Sequence, residues 1–188
     1  VHYVVTGFPR SGTSMMMRCL QFAGIKPVVS AARDAAMVKR NQGDYPANPY
    51  GFFEVDERDY MRIGYLDAIE DGMAIKLLPP ALPFIPTRPT VVIWMHRDAQ
   101  EVKASYERVF SPQEFEKKFS GWPRTIDQQV KHIRPILQDR RSIHLFDFDY
   151  RDVVADPLKA LSVLPIDYQR AVAAVDPALY RNVNHGHV

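Results

Sequence analysis

The first 23 residues restrict the fold more than any other stretch of the chain. Val1-His2-Tyr3-Val4-Val5-Thr6 is a β-prone run without strict polar alternation, as expected of a strand covered on both faces. A glycine-bounded loop follows, and then Thr13 to Ala23, which is apolar almost all round (Met15, Met16, Met17, Cys19, Leu20, Phe22) and predicts a buried helix. A covered strand leading into a covered helix is naturally accommodated by three α/β/α layers around a central parallel sheet.

The rest of the chain fits that architecture. Further apolar runs at Met73 to Leu77, Thr90 to Met95 and Ser142 to Phe148 predict strands, and Pro27-Val28-Val29 suggests a short edge strand. Between them, Asp98 and Glu101 form a capping-box pattern ahead of Val102, Tyr106, Val109 and Phe110 at helical spacing. Ile126, Val130, Ile133 and Leu137 mark another amphipathic helix, with a kink expected at Pro135. Many of the 15 prolines fall in the connections around the second and third strands. A length of 188 residues suits one domain, residues 1–188, with no internal repeat.

Composition narrows the function classes. A net charge of +2 with scattered Lys and Arg gives no support for a nucleic-acid or membrane-surface role, so an anion site has to be local. No apolar stretch approaches a membrane span. The single cysteine, Cys19, sits in an apolar run, excludes an internal disulfide and reads as a packing residue of a reducing, cytoplasmic compartment. His185-Gly186-His187 has no further residues at ligand spacing, so no metal site is expected.

The loop itself carries the strongest chemical signal. Gly7-Phe8-Pro9-Arg10-Ser11-Gly12-Thr13-Ser14 joins a predicted strand to a predicted helix, where backbone N–H groups and the positive helix end converge on an anion. Gly12 permits close approach, and Thr13 and Ser14 add hydroxyls. The Walker spacing G-x-x-x-x-G-K-[ST] is met at Gly7, Gly12 and Ser14, but Thr13 stands in the lysine position and the cation moves to Arg10. The strand Val91 to Met95 runs into His96-Arg97 rather than a carboxylate, leaving Asp147 as a loose metal-binding candidate. Such a loop suits transfer of a less charged group than a terminal phosphoryl.

Pro9-Arg10-Ser11-Gly12-Thr13-Ser14 resembles the phosphosulfate loop of the PAPS-dependent sulfotransferases, which follows the first strand in that family. Arg97, with Ser105 eight positions later, resembles the family's strand-end arginine and helix serine at the nucleotide's 3'-phosphate. Weaker echoes, at Asn48 to Glu54, Ile75-Lys76 and Tyr150 to Pro157, extend the resemblance along most of the chain. It implies PAPS as sulfuryl donor, PAP as product, no metal, and nucleotide contacts from Pro9, Arg10, Ser11, Gly12, Thr13, Ser14, Arg97 and Ser105. The segment after the fourth strand is a structural one in the family, which gives Asp152 and Asp156 capping or packing duties. Leu78 holds the place of the catalytic histidine of cytosolic aryl members, so the likeness is nearer the bacterial, carbohydrate and protein-tyrosine branches, where a glutamate is the base.

That comparison nominates Glu54 as base, Arg10 for the leaving group and Lys76 for the bridging oxygen, with a hydroxyl or amine as acceptor. Each also has a plain alternative: a helix-cap glutamate, a snorkelling lysine, an ion-paired Arg97, a packed Ser105. Tyr45, Tyr50, Phe52 and Phe53 read either as an acceptor pocket or as a hydrophobic cluster under a loop, and Phe119 and Trp122 pose the same choice. His96 reads as structural. A P-loop small-molecule kinase and a non-catalytic nucleotide-binding module remain the alternative functions.

Overall fold

A computed structural model describes residues 1–40, 50–60, 62, 64–107, 113 and 124–180. Strands β1 (His2–Gly7), β2 (Lys26–Pro27), β3 (Met73–Lys76), β4 (Thr90–His96) and β5 (Ile143–Asp149) form one sheet in the order β2-β3-β1-β4-β5, and every pairing is parallel. The fold is the expected α/β type. The edge strand lies one residue earlier than expected; Val28 still donates its N–H to the Ala74 carbonyl at 2.7 Å.

Helices cover both faces. On one, α1 (Thr13–Phe22) packs its buried Met16, Met17, Cys19 and Leu20 onto Val5, Ala74, Val91, Ile93 and Met95. The same layer receives Tyr150 and Val153 of α6 (Tyr150–Ala155), Leu161 of α7 (Pro157–Leu161) and Ala171 of α8 (Tyr168–Val172). Cys19 is fully buried, and that burial pushes its thiol up to about 12, consistent with a packing role. On the opposite face Val4, Ile75, Leu77, Val92 and Trp94 meet Ala81 and Leu82 of a 3₁₀ turn (Pro79–Phe84) and Ile133 and Leu137 of α5 (Arg124–Gln138). Helix α5 continues across Pro135, since losing one backbone donor is compatible with a helix anchored by buried residues on either side.

Helix α4 (Ala99–Glu107) starts where expected, but its cap is only half a box. Asp98 accepts N–H bonds from Gln100 and Glu101 at 2.9 and 3.1 Å, while the Glu101 side chain turns to other partners. Val109, Phe110, Phe119, Trp122, Tyr45 and the His185/His187 pair lie outside the described residues, as does the side chain of Ile126. The remaining helices, α2 (Ala31–Arg40) and α3 (Glu57–Tyr60), belong to the long connection between β2 and β3.

The strand order positions the site. From β1 the chain crosses by α1 toward β2, whereas from β4 it moves the other way to β5, so the connections leaving the C-terminal ends of adjacent β1 and β4 diverge. Such a switch point opens a crevice beyond the strand ends. The register pairs Gly7 with Met95, placing the 8–12 loop beside His96-Arg97.

Leu137 is fully buried, so Leu137→Ala should cost about 2–5 kcal/mol of unfolding free energy. A urea titration with an unchanged slope and a lower midpoint is the expected result.

Candidate functional site

The loop is tightly determined. Ser11 donates its N–H to the Phe8 carbonyl at 3.0 Å, and Arg10 adopts φ 73°, a left-handed conformation costly for a residue that carries a Cβ. Gly12 has φ 98°, and a Cβ there would come 2.3 Å from the Tyr150 ring. The reason for glycine thus differs from the expected one: Tyr150, rather than an anion, fills the space a side chain would need. Gly7 is equally confined, with the Met95 carbonyl oxygen 2.4 Å from its would-be Cβ. The N-cap of α1 is Gly12, which has no side chain to accept from the first-turn amides at the positive end of the helix, and among the described residues the buried Ser11 hydroxyl has no partner. Donors concentrated at one strand-to-helix turn fit an anionic group.

Two cations flank this turn. Lys76 on β3 is level with Val5 and shares the face of Ala74, under α1. Its ammonium donates to Glu54 Oε1 at 2.6 Å, to Ser14 Oγ at 3.3 Å and to the Phe52 carbonyl. Its side chain is only 11% exposed and paired with Glu54, so it does not snorkel to water. Burial is the largest influence and lowers its pKa, although Glu54 opposes that shift. The Ser14 hydroxyl, expected as an anion donor, donates to Phe52 O at 3.1 Å.

Glu54 reaches Lys76 because its segment is pinned from below. Asp34 Oδ1 accepts the N–H groups of Phe52 and Glu54 at 2.9 and 3.4 Å, and the Glu54 carbonyl accepts from Ser30 N at 3.0 Å. Between them Gly51 and Phe53 take φ 91° and 54°. Phe53 belongs to the core, and Tyr50 is an exposed ring beneath the Arg18 guanidinium, 3.3 Å from its centroid. Phe52 is buried as Phe53 is, so these two fit the reading as a hydrophobic cluster, whereas Tyr50 stands on the surface. Asp34 carried no sequence signal, because an aspartate early in a surface helix resembles any other.

Arg97 flanks the turn on the β4 side. Its Nε donates to Glu101 Oε2 at 2.9 Å and its Nη1 to the Arg10 carbonyl at 3.1 Å, while the guanidinium lies 4.3 Å from the Tyr150 ring centroid. Arg10 in turn donates from Nε to Ser105 Oγ at 2.9 Å. Arg97 and Ser105 thus join one cluster through Arg10 rather than by direct contact. Glu101, 4% exposed, also accepts from Arg151 Nη2 at 2.6 Å and Tyr180 Oη at 2.8 Å. Burial alone would raise its carboxyl, but the bonds from Arg151, Arg97 and Tyr180 outweigh it and hold the pKa below the ordinary value.

The segment after β5 carries structural duties, as expected: Tyr150 packs against Gly12, and α6 is capped by Asp149, which accepts from Arg151 N at 2.8 Å, rather than by Asp152. Asp156 does cap a helix, accepting from Lys159 N at 3.1 Å. Asp147 is held by Arg134 Nη1 at 2.6 Å and by His96 at 2.7 Å, on the face that carries α5. Leu78 is 40% exposed just beyond β3.

No family model matches the chain, and no curated protein does. Among solved structures, the unliganded crystal structure of a sugar kinase from Janibacter sp. HTCC2649 aligns with 95% of this chain and 96% of its own, at 16% identity and a TM-score of 0.39. A likeness of that size carries no argument about function. Among the described residues no helix is long and apolar enough to cross a membrane.

The Glu101 cluster sets an acid limb for stability. Because its folded pKa is depressed, its contribution is present above the ordinary value of 4.5 and is lost as pH falls through the folded value. Glu101→Gln should therefore flatten the fall of unfolding free energy below about pH 4.5. Denaturant titrations from pH 3 to 7, in steps of about one unit, measure that slope.

Proposed function

We propose that the chain is a PAPS-dependent sulfotransferase, moving a sulfuryl group from 3'-phosphoadenosine-5'-phosphosulfate to a hydroxyl or amine. The observation that carries this reading is the placement of Lys76 with Glu54 on one side of the β1–α1 turn and of Arg97 with Ser105 and Arg10 on the other. A nucleotide phosphorylated at both ends of its ribose asks for two such anchors. The turn's amides and the Ser11 hydroxyl, unpartnered among the described residues, fit the 5' end.

Bound PAPS would supply an activated sulfuryl group and leave as PAP. Pro9 to Ser14 would hold its 5'-phosphate, and Arg97 with Ser105 its 3'-phosphate. Glu54 would take the acceptor's proton as the new O–S or N–S bond forms, its carboxylate already oriented by Lys76. Lys76 and Arg10 would stabilise the charge that collects on the bridging oxygen as its bond to sulfur breaks. Burial favours the neutral form of Lys76, which makes an anion arriving beside it a gain in electrostatic energy.

Thermal shift with PAP against ATP plus magnesium tests the reading, since a selective ligand stabilises the fold by mass action. Stabilisation by PAP is expected; a preference for ATP with magnesium would transfer the proposal to a kinase. Arg97→Ala should weaken PAP by about 1.5–3 kcal/mol, the loss of a charged hydrogen-bonding contact. Unchanged affinity in a calorimetric titration would remove Arg97 from the site. Glu54→Gln should keep PAP binding and lose turnover with any acceptor that supports it; full turnover would eliminate Glu54 as base, and PAP binding without any turnover in the parent protein would favour a binding module.

A further inference from the structure

A cleft of about 320 Å³ opens beyond the C-terminal ends of β4 and β5, lined by His96, Arg97, Asp98, Glu101, Asp149 and Arg151. Its acidic groups have internal partners. Asp98 accepts two backbone N–H groups at the start of α4, Asp149 accepts the Arg151 N–H, and Glu101 lies between two guanidiniums. Its arginines are less occupied. Arg97 uses Nε and one Nη1 proton, and Arg151 uses Nε toward Tyr180 Oη at 3.1 Å and one Nη2 proton toward Glu101. Among the described residues, both therefore retain N–H groups without a protein partner, and a guanidinium offers five donors in all.

The way Arg151 is held is unusual for a surface arginine. Its side chain is 62% exposed, yet it is fastened at the tip to a carboxylate that is 4% exposed. Exposed ion pairs between two flexible side chains are loosely held. Here one partner is fixed: Oε2 of Glu101 takes Arg97 and Oε1 takes Arg151, which holds both guanidiniums to one carboxylate in the lining of the cleft. Tyr180 bonds both Glu101 and Arg151 and packs edge-on to Tyr150 at 5.4 Å. Paired planar forks of this kind suit a phosphate monoester, whose oxygens accept several N–H bonds at once.

Resting on the reading of a nucleotide with a 3'-phosphate, we propose that Arg151 is a second guanidinium of the 3'-phosphate site, fastened with Arg97 to the shared carboxylate of Glu101. Arg151 contacts the ligand; Glu101 is the positioning residue. Sequence reading placed this segment among structural ones because it resembles a structural segment of the sulfotransferases.

The test is a calorimetric ligand cycle with adenosine 3',5'-bisphosphate and adenosine 5'-monophosphate, which differ by the 3'-phosphate. The parent protein should prefer the bisphosphate. Arg151→Ala should weaken the bisphosphate on the order of tenfold, as expected for a charged hydrogen-bonding contact, and leave the monophosphate within about twofold. Arg151→Lys, which keeps the charge and loses the fork, should fall between and guards against an alanine variant that fails to fold. If either folded variant retains the full preference, or if both ligands weaken equally, the proposal for Arg151 is overturned while the nucleotide reading stands. If the parent protein shows no preference for the bisphosphate, the 3'-phosphate site itself falls and takes this inference with it.

Discussion

Lys76 puts an ammonium group where the sheet meets its covering helix, and a buried charge of that kind is tolerated only with close partners. Those partners organise one side of the site. Glu54 supplies the opposite charge, and the Phe52 carbonyl and Ser14 hydroxyl complete the coordination. Because one partner stands on α1 and two on the 50–54 segment, the lysine ties the helix start, the third strand and the connection after α2 together. The left-handed backbone at Gly51 and Phe53 follows from that demand, with Asp34 holding the amides that such a turn leaves without sheet or helix partners.

The other side is organised by an anion. Glu101 is buried, and three donors from α4's approach, the segment after β5 and the chain near Tyr180 converge on it. The two centres are complementary: a buried cation gathers acceptors on the β3 side, and a buried carboxylate gathers guanidiniums on the β4 side. Between them lies the glycine-bounded turn, closed against Tyr150 and Met95 so tightly that neither Gly7 nor Gly12 has room for a side chain. A turn fixed this way presents its amides without rearrangement, which is what anion recognition at a helix start requires.

Where sequence reading and structure part company, the cause is distance along the chain. Local rules located the strands to within about a residue, because apolar runs and turn residues act over a few positions. The same rules failed at the capping box: Glu101 has the right spacing, yet two arginines and a tyrosine outbid a single backbone amide. They left open the two readings of Tyr50, Phe52 and Phe53, because burial of adjacent aromatics depends on what packs over them: Phe52 and Phe53 are buried and Tyr50 is exposed.

By itself the sequence determined the layered α/β fold, the turn between β1 and α1, and the identity of the charged residues around it, because these follow from periodicity and short-range spacing. Only the tertiary structure decided how those charges are paired. Lys76 with Glu54, Arg10 with Ser105, and Arg97 with Glu101 and Arg151 draw on β3, β4, α4 and the segment after β5. The parallel register and the opposite directions of the connections leaving β1 and β4 bring them together at the C-terminal end of the sheet. No local pattern encodes that convergence, since burial and strand order, which set the cost of leaving each charge alone, arise only when the whole sheet has formed.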